Sequence, residues 1–479
     1  MANLKSLLKD TAVYGLSSII GRFLNYLLVP LYTHVIPADG GGYGVVTNIY
    51  GYTAFFLVLL TFGMETTFFR FANKDDENPD TVFATAMSVI TSLSLIFFAF
   101  ITLGATPICN ILGYSNHHEY VLIMAAVVAL DAIQALPFSL LRYQKKAIKF
   151  AALKMLFIVL NISLNLFYYV YLGQTDVIYI FVANIICTAA ITFFFVPELL
   201  RIKWHISTAL LRRMLSYSWP ILLLGLVGIL NQAADKMIYP LVKADQAEAQ
   251  IELGIYGSCF KIAMIMGMIT QAFRYAYEPF VFAESKDKNK NETYAIAMKY
   301  FIIFTYLAFL CVVGYLDVLQ YILGADYRVA IGVVPIVMAA EIMMGIYFNL
   351  SFWYKLIDKT IYGAWFSLCG CAVLLLVLIT LIPVYGYWAC AWGGFAGYGT
   401  SMLLSYFVGQ KKNPINYPLK SIGIYTALAL VLFGAMQILP NSWSLAAKLT
   451  INTLLIAVFA LRIAICDLPI KRLLSKFKH

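Results

Sequence analysis

Charged side chains that lie within long apolar blocks are the residues of this sequence best suited to chemistry. Arg22 stands well inside the first block, and an arginine near the centre of a bilayer costs roughly 2.5–3.5 kcal/mol even on a lenient insertion scale. Ser18, Arg22 and either Asn25 or Tyr26 recur at helical spacings of three and four, which predicts one polar stripe. The planar guanidinium of Arg22 suits a phosphate ligand, and the alternative is a structural pair with a carboxylate on another helix.

A second polar group, Asp235 with Lys236, lies in a later apolar block. Adjacent residues are rotated by about 100° on a helix, so we expect the two charges to face different partners. Asn231 and Asp235 share a face. Lys236 is either a second phosphate contact or a side chain that extends to the outer interface on its long stem.

A third group comprises Lys261 and Arg274, in one apolar block with Glu278. Arg274 and Glu278 are spaced for an ion pair, which is the structural alternative to ligand binding. Lys261 and Arg274 are roughly 220° apart on an ideal helix, so both line one cavity only if the helix bends, for which Gly267 is the candidate.

Carboxylates in the same blocks are candidates for ion coupling. Asp131 and Glu341 occupy matching positions of the repeat described below, and buried carboxylates can exchange protons or bind sodium near neutral pH. Glu65 and Asp235 complete the set, and in each case the alternative is a pair with a neighbouring cation or polar group. The five histidines and eight cysteines show no ligand or disulfide spacing. We therefore expect proton or sodium coupling, without a metal or other cofactor.

The elements that carry these residues are predicted to be membrane-spanning helices. Of 479 residues, 62% are apolar and 12% charged, and the mean hydropathy is +0.81, far from the composition of soluble domains. The apolar blocks are each long enough to cross a hydrocarbon core of roughly 30 Å. They fall near 11–35, 43–70, 82–107, 119–141, 148–172, 176–200, 214–242, 253–282, 294–316, 328–353, 361–383, 385–408, 420–439 and 446–466.

Basic residues between these blocks predict the orientation. The net charge of +10 comes from short clusters between spans and not from a continuous face for nucleic acid. One side of the membrane collects nearly all the lysines and arginines, including Arg142, Lys355, Lys411 and Lys412, which predicts that both termini are cytoplasmic. The opening segment lacks the features of a cleaved leader, so the first block is expected to remain as a span.

An internal repeat relates two parts of the chain. Asn25 and Pro30 match Asp235 and Pro240 at an offset of 210, and Asp131 matches Glu341 at the same offset. Tyr43-Gly44 matches Tyr256-Gly257 at 213. Such an offset carries six spans, so the two halves have the same orientation, as in transporters whose site lies between two halves. We expect six-helix bundles in 1–200 and 201–410 and two further helices with a basic tail in 411–479.

The whole chain resembles the multidrug/oligosaccharidyl-lipid/polysaccharide (MOP) exporter superfamily, and within it the polysaccharide transporter, or Wzx-type O-antigen flippase, branch. The motifs that carry this resemblance are Tyr14-Gly15-Leu16-Ser17-Ser18 with Arg22, Pro30-Leu31-Tyr32, Tyr43-Gly44, Ser216-Tyr217-Ser218-Trp219-Pro220, Asp235 with Lys236, Tyr256-Gly257, and the segment from Leu381-Ile382-Pro383 to Gly386 and Ala389.

The resemblance implies an all-α integral membrane protein of about fourteen helices, with two bundles around a cavity that opens alternately to each side. It implies undecaprenyl-pyrophosphate-linked oligosaccharide as cargo, flipped across the bacterial inner membrane, with other polysaccharide assembly proteins as partners. Arg22 would then bind the pyrophosphate. Relatives that flip the peptidoglycan precursor concentrate arginines in their first two spans, whereas this chain has Arg22 and Arg70 there.

Two other functions remain open from the sequence. A drug antiporter of the multidrug and toxin extrusion branch would share the fold, but is expected to have twelve spans and a less basic cavity. A membrane-embedded polymerase or glycosyltransferase is disfavoured, because the predicted connections are too short for a separate active site.

Overall fold

The fold is all-helical. A computed structural model describes residues 26–200, 206–283, 290–357, 359–440 and 442–467, and no β-strand occurs within these ranges. By their contacts the helices form two compact units, the first comprising Met1–Ser258 with Leu375–Cys390 and the second Cys259–Leu374 with Ala391–His479. These units are defined by packing and not by the sequence repeat, so the bundles 1–200, 201–410 and 411–479 stay a prediction.

Parts of three later helices belong to the first unit, and nine described helices lie wholly within it. They are α1 (Leu28–Val35), α2 (Gly42–Thr61), α3 (Met64–Ala72), α4 (Pro79–Leu103), α5 (Ala105–Leu112), α6 (His118–Tyr143), α7 (Ala147–Leu166), α8 (Ile178–Leu200) and α9 (Thr208–Val242). A π-helical turn, Phe167–Tyr171, extends α7.

The second unit takes most of the remaining described helices. The rest of the chain forms α10 (Gln246–Ala283), α11 (Lys290–Gly314), α12 (Leu316–Leu319), α13 (Val334–Leu350), α14 (Phe352–Leu356), α15 (Ile361–Tyr385), α16 (Trp388–Lys412), α17 (Leu419–Gln437) and α18 (Leu445–Cys466). Two 3₁₀ segments, Gln320–Ile322 and Ala325–Val333, precede α13. The division between the units falls within α10, within α15 and within α16.

Twelve helical segments in the described part of the chain are long and apolar enough to cross a membrane. The predicted block 385–408 forms the 25-residue helix α16, which is not among the twelve. The block 11–35 lies mostly outside the described residues. The all-helical membrane fold is thus confirmed, while the number fourteen stays a prediction.

Local sequence signals fix several helix ends. The Asn78 side chain accepts a hydrogen bond of 2.9 Å from the backbone N–H of Asp80, and Pro79 occupies the first turn of α4. This satisfies one of the N–H groups that a helix start leaves without a partner, and a proline there removes another. Ser207 and Ser444 cap α9 and α18 in the same way.

One predicted span is broken in the structure. The block 43–70 forms two helices, because Phe62 and Gly63, with φ of 50° and 66°, adopt the left-handed conformation between α2 and α3. The buried side chains of Met64 and Phe68 on α3 then pack into a core with Ile90 of α4 and Met214 of α9.

The last two helices attach to the second unit through polar contacts as well as apolar ones. The Asn452 amide of α18 donates to the Gly314 carbonyl at 2.8 Å. Asp467, next to the end of α18, accepts hydrogen bonds from Lys299 of α11 and Tyr425 of α17. One carboxylate therefore joins α11, α17 and the end of α18.

Candidate functional site

The predicted stripe of Arg22 and Asn25 lies outside the described residues. The remaining predicted site residues are described, and they fall into the two units. Asp235, Lys236, Glu65 and Asp131 belong to the first, whereas Lys261, Arg274 and Glu341 belong to the second.

Asp235 and Lys236 form an ion pair within α9. The Lys236 ammonium donates to both carboxylate oxygens of Asp235, at 3.0 and 3.1 Å, and their side chains are 13% and 10% exposed. Tyr256 donates a further hydrogen bond of 2.8 Å to Asp235. The sequence reasoning did not include this mutual pair, which forms because the flexible stem of the lysine folds back across the rotation between adjacent positions, while the other partners of the two residues, Tyr256 and the Gln232 carbonyl, differ.

A proline explains the position of the neighbouring polar groups. Pro240 has no N–H, so the carbonyl of Lys236 loses the donor that an α-helix would supply four residues later. The Asn48 amide of α2 donates to this carbonyl at 2.6 Å, and Tyr52 donates to the Met237 carbonyl at 2.9 Å. Unpaired carbonyls are costly in lipid, and these bonds hold α2 against the part of α9 that carries Asp235.

Close packing of small residues brings α2 against the beginning of α10. A Cβ placed on Gly44 would lie 1.7 Å from the Gln250 carbonyl oxygen, and one on Gly254 would lie 2.8 Å from the Gly44 nitrogen. A Cβ on Gly257 would meet Thr47 Oγ1 at 2.6 Å. The Tyr43-Gly44 and Tyr256-Gly257 segments, which match in the repeat, thus lie on helices that touch backbone to backbone.

The carboxylates of the first unit each have a partner. Glu65 accepts from Ser139 at 3.0 Å and from the Arg142 guanidinium at 3.2 Å, both on α6. Thr188 of α8 donates to Asp131 at 3.1 Å. Glu65 therefore has the geometry of the structural alternative, a carboxylate paired with a neighbouring cation.

Lys154 is a residue that the sequence reasoning missed. It lies on α7, interacts electrostatically with Asp131 and Glu65, and has its ammonium 4.0 Å from the centre of the Phe138 ring. It stands inside the apolar block 148–172, so the criterion that singled out Arg22 would also have found it. Lys154 makes the surroundings of Asp131 charged as well as polar.

In the second unit, Glu341 lies against Gly267. A Cβ on Gly267 would be 3.1 Å from Glu341 Oε2, so the glycine gives the carboxylate room between α10 and α13. The helix α10 continues through this position to Ala283. Lys261 is partly buried on the same helix, and its role as a ligand contact stays a prediction.

Arg274 lines a cleft between α10 and α13. Its guanidinium lies 4.8 Å from the centre of the Phe348 ring, and Lys355 of α14 lines the same cleft, with its ammonium 5.0 Å from the centre of the Phe352 ring. The space inside the cleft that a water molecule can reach is about 10 Å³. The sequence assigned Lys355 only to the charge that orients the loops. The predicted partner of Arg274, Glu278, has a side chain outside those the structure describes.

Among the described residues there is no group of three or more histidine, cysteine, aspartate and glutamate side chains able to hold a metal ion. Asp131 and Glu341 lie in different packing units. The structure thus brings together Asp235 with Lys236, and Arg274 with Lys355.

Comparisons with known proteins agree with this architecture. A family model described as polysaccharide biosynthesis protein matches residues 37–332. No curated protein matches the sequence. The solved structure of the lipid II flippase MurJ in an inward closed conformation has a TM-score of 0.75 and 14% identity, covering 93% of this chain and 97% of that one.

Two multidrug transporters are also similar. An inward-facing MATE family transporter of the MOP superfamily has a TM-score of 0.63 at 13% identity, over 82% of this chain and 94% of its own. The MATE multidrug transporter DinF-BH, solved with a bound ligand, has a TM-score of 0.59 at 17% identity, over 85% of this chain and 96% of its own. These low identities establish a shared fold.

Proposed function

The chain belongs to the polysaccharide biosynthesis protein family, whose model matches residues 37–332, and from this premise we propose that it flips undecaprenyl-pyrophosphate-linked oligosaccharide units across the bacterial inner membrane. The observation that carries the proposal is this family membership. The fold, which the chain shares with flippases and transporters, is consistent with it. The proposed route runs from the cytoplasmic to the periplasmic leaflet by alternating access, with both termini cytoplasmic.

The substrate contacts that we propose are Arg22, Asn25, Lys236, Lys261 and Arg274. A cation within a membrane-spanning helix is costly, so its presence points to an anionic ligand or an ion-pair partner. Lys236 already has Asp235 as a partner, which supports a role for this pair as a unit. Arg274 stands in a cleft with a second cation, and this arrangement suits a phosphate group.

Ion coupling is proposed for Asp131, Glu341, Asp235 and Glu65, with a proton or sodium ion as the driving ion. Asp131 is the strongest of the four, because its hydrogen bond from Thr188 is neutral and Lys154 is its charged neighbour. Glu65 is the weakest, because Arg142 and Ser139 already satisfy one of its oxygens.

A cation-coupled drug antiporter is the second candidate, favoured by the fold that this chain shares with MATE transporters. A polymerase or glycosyltransferase would need a site for catalysis outside the spans, and described connections such as 73–78, 113–117 and 413–418 are short. Transport of a lipid-linked glycan therefore stands ahead of both.

The proposal can be tested by complementation in a strain whose own flippase gene is deleted. The wild-type chain should restore surface polysaccharide, and in its absence the lipid-linked oligosaccharide should accumulate on the cytoplasmic side. Arg22→Ala should abolish surface polysaccharide at an unchanged protein level in the membrane. Arg212→Ala, at an exposed arginine of α9, is the matched control and should leave polysaccharide intact.

Failure of the wild-type chain to restore polysaccharide, together with export of cationic dyes from whole cells, would identify the drug antiporter instead. Normal polysaccharide in the Arg22→Ala strain would show that Arg22 is not a substrate contact. It would leave the proposed transport function unchanged.

A further inference from the structure

We propose that an apolar cavity of the first unit holds one acyl chain of a membrane phospholipid, whose headgroup stays outside the cavity. The cavity lies between α2, α4, α5 and α6, and none of its lining residues was assigned a role from the sequence. The space that a water molecule can reach in it is about 270 Å³. An apolar cavity of about 150 Å³ is large enough to bind benzene, so this one has room for a longer apolar group.

The depth of the cavity is that of the hydrocarbon of one leaflet. The helices α4 and α6 are candidate spans. The eight-residue helix α5 is too short to cross a core of roughly 30 Å, so it stays at the side of the membrane where α4 ends and α6 begins. Along α6 the lining runs from Val121 to Val128, which is roughly 5–15 Å from the start of that helix. The cavity therefore lies between the membrane surface at α5 and the middle of the bilayer.

The walls of the cavity offer no free polar side-chain group. Of the described lining residues only Tyr52 and Thr53 carry a hydroxyl, and both hydroxyls already have a partner. Tyr52 donates to the Met237 carbonyl and Thr53 to the Ile49 carbonyl, each at 2.9 Å. A buried water needs roughly two to four polar partners, which these walls do not supply. The occupant is therefore apolar over the length that enters the cavity.

The cavity opens at the surface of the protein. Phe100 of α4 and Ile111 of α5 line it and are exposed, whereas the lining residues Ile101 and Met124 are only 6% and 3% exposed. The first two side chains thus lie at the mouth and the other two in the interior. Because the mouth is apolar and lies at the depth of hydrocarbon, a lipid chain can enter from the bilayer while its headgroup remains at the interface.

The charges around the mouth distinguish two kinds of lipid. The segments 31–69 and 75–141, which include most of the four lining helices, contain no lysine or arginine. A diphosphate headgroup at the mouth would therefore lack the charge-assisted contacts by which proteins hold such groups. The chain that enters belongs to a phospholipid without net charge, and not to a carrier lipid with a diphosphate.

The cavity lies behind a contact that supports α9. The ring of Tyr52 lines the cavity, while its hydroxyl is bonded to the carbonyl of Met237, the residue after Lys236. Lys236 in turn forms the ion pair with Asp235. An acyl chain in the cavity therefore packs against the side of α2 that holds this part of α9 in place.

The test uses the purified full chain in nanodiscs of phosphatidylcholine that carries a diazirine within one acyl chain. After illumination, the cross-linked residues are identified by mass spectrometry of peptides. Cross-links should form at Ile101 and Met124, which are too buried for lipid that only surrounds the protein. Cross-links confined to exposed positions of α4 such as Leu95 and Leu103 would overturn the site.

A variant that fills the cavity provides a second measurement. Ala125→Phe places a ring in the cavity and should abolish the cross-links at Ile101 while those at Leu95 remain. Ala99→Phe adds the same ring at an exposed position of α4, and this matched control should give the wild-type pattern. Should Ala125→Phe fail to fold, the wild-type cross-links decide the question by themselves.

Thermal unfolding in detergent after removal of lipid gives an independent result. Ala125→Phe should melt at a higher temperature than the wild type, because its ring occupies space that the lipid chain has left. Added phosphatidylcholine should then raise the melting temperature of the wild type more than that of the variant. An equal response of the two proteins to the lipid would count against the site.

Competition identifies the source of the chain. Undecaprenyl diphosphate and unlabelled phosphatidylcholine are added separately, each as the same small fraction of the lipid. Equal losses of cross-linking at Met124 support the phospholipid, whereas a much greater loss with undecaprenyl diphosphate would overturn that assignment in favour of the carrier lipid. Complementation tests transport separately, so a failure of the proposed function would leave these cross-links in place.

Discussion

At the scale of single residues, the intramembrane charges differ in how much of their bonding capacity is already taken up. The Lys236 ammonium is folded onto Asp235, and Glu65 is bonded to Arg142 and Ser139. Asp131 accepts a hydrogen bond from the Thr188 hydroxyl and has Lys154 as a charged neighbour. A carboxylate with a neutral donor can change its protonation state without breaking an ion pair, which is why Asp131 is the leading candidate for coupling.

We predict that Asp131→Asn combined with Glu341→Gln removes the dependence of transport on the proton or sodium gradient. Asparagine and glutamine keep the shape of the carboxyl groups but cannot bind a proton or contribute negative charge to a sodium site. The measurement is uptake or flipping in proteoliposomes with and without an imposed gradient. Asp76→Asn, at an exposed position between α3 and α4, is the control. Unchanged gradient dependence in the double variant would reject both carboxylates as coupling groups.

The site residues predicted from the sequence follow from one criterion, charge within an apolar block. That criterion identifies Asp235, Asp131 and Arg274, and it would also have identified Lys154. It could not identify Lys355, because a lysine at the end of a span is usually explained by the orientation of the protein in the membrane. Only packing of α10 against α13 reveals that Lys355 and Arg274 share a cleft.

At the scale of elements, apolar length predicts the helices well. The block 82–107 is α4, Pro79–Leu103, and the block 446–466 is α18, Leu445–Cys466. The break at Phe62 and Gly63 was not predicted, because hydropathy is averaged over a window and does not register two residues in a left-handed conformation. The attachment of α17 and α18 was not predicted either, since their apolar faces alone do not specify a neighbour.

That attachment leads to a prediction for Asp467. Burial alone would raise the pKa of this carboxyl, but hydrogen bonds from Lys299 and Tyr425 and the charges of Lys299 and Arg462 outweigh it and hold the pKa below its usual range. A lowered carboxyl pKa contributes stability that is present above the pKa of the unfolded state, roughly 4, and is lost as the pH falls through the folded value. Docking of the helix pair should therefore not vary with pH near neutrality.

Asp467→Asn should loosen α17 and α18 from α11, because it leaves the Lys299 ammonium without its carboxylate in a buried setting. Breaking such a pair costs on the order of 3 kcal/mol. The expected results are a lower melting temperature in detergent and faster proteolytic cleavage in the connection 413–418. Lys420→Gln, at an exposed lysine of α17, should behave as the wild type. An unchanged cleavage rate in Asp467→Asn would show that apolar packing alone holds the pair.

At the scale of the whole molecule, the distribution of basic residues predicts the orientation in the membrane. Arg142, Lys355, Lys411 and Lys412 all belong to the face predicted to be cytoplasmic. Lys355, at the end of its predicted span, is therefore predicted to lie at the cytoplasmic side.

We predict that both termini are cytoplasmic. A C-terminal fusion to alkaline phosphatase should be inactive, because this enzyme folds only outside the cytoplasm. A fusion to green fluorescent protein at the same point should fluoresce. A fusion of the phosphatase after Asp245, in the connection between α9 and α10, should be active. A fluorescent Asp245 fusion together with an active C-terminal phosphatase fusion would show that the orientation is the reverse of the predicted one.

The contact of Gly44 with Gln250 and Gly254 has a consequence for how α2 and α10 could part. The atoms nearest a Cβ on Gly44 are backbone atoms of Gln250, so at this one point the two helices touch without a side chain whose rotamer would have to change. A seam of interlocked leucines would have to be repacked each time it closed. Two backbone surfaces can meet again in the same register each time they close. A methyl group added at Gly44 would overlap the Gln250 carbonyl oxygen and would keep α2 and α10 apart at this point.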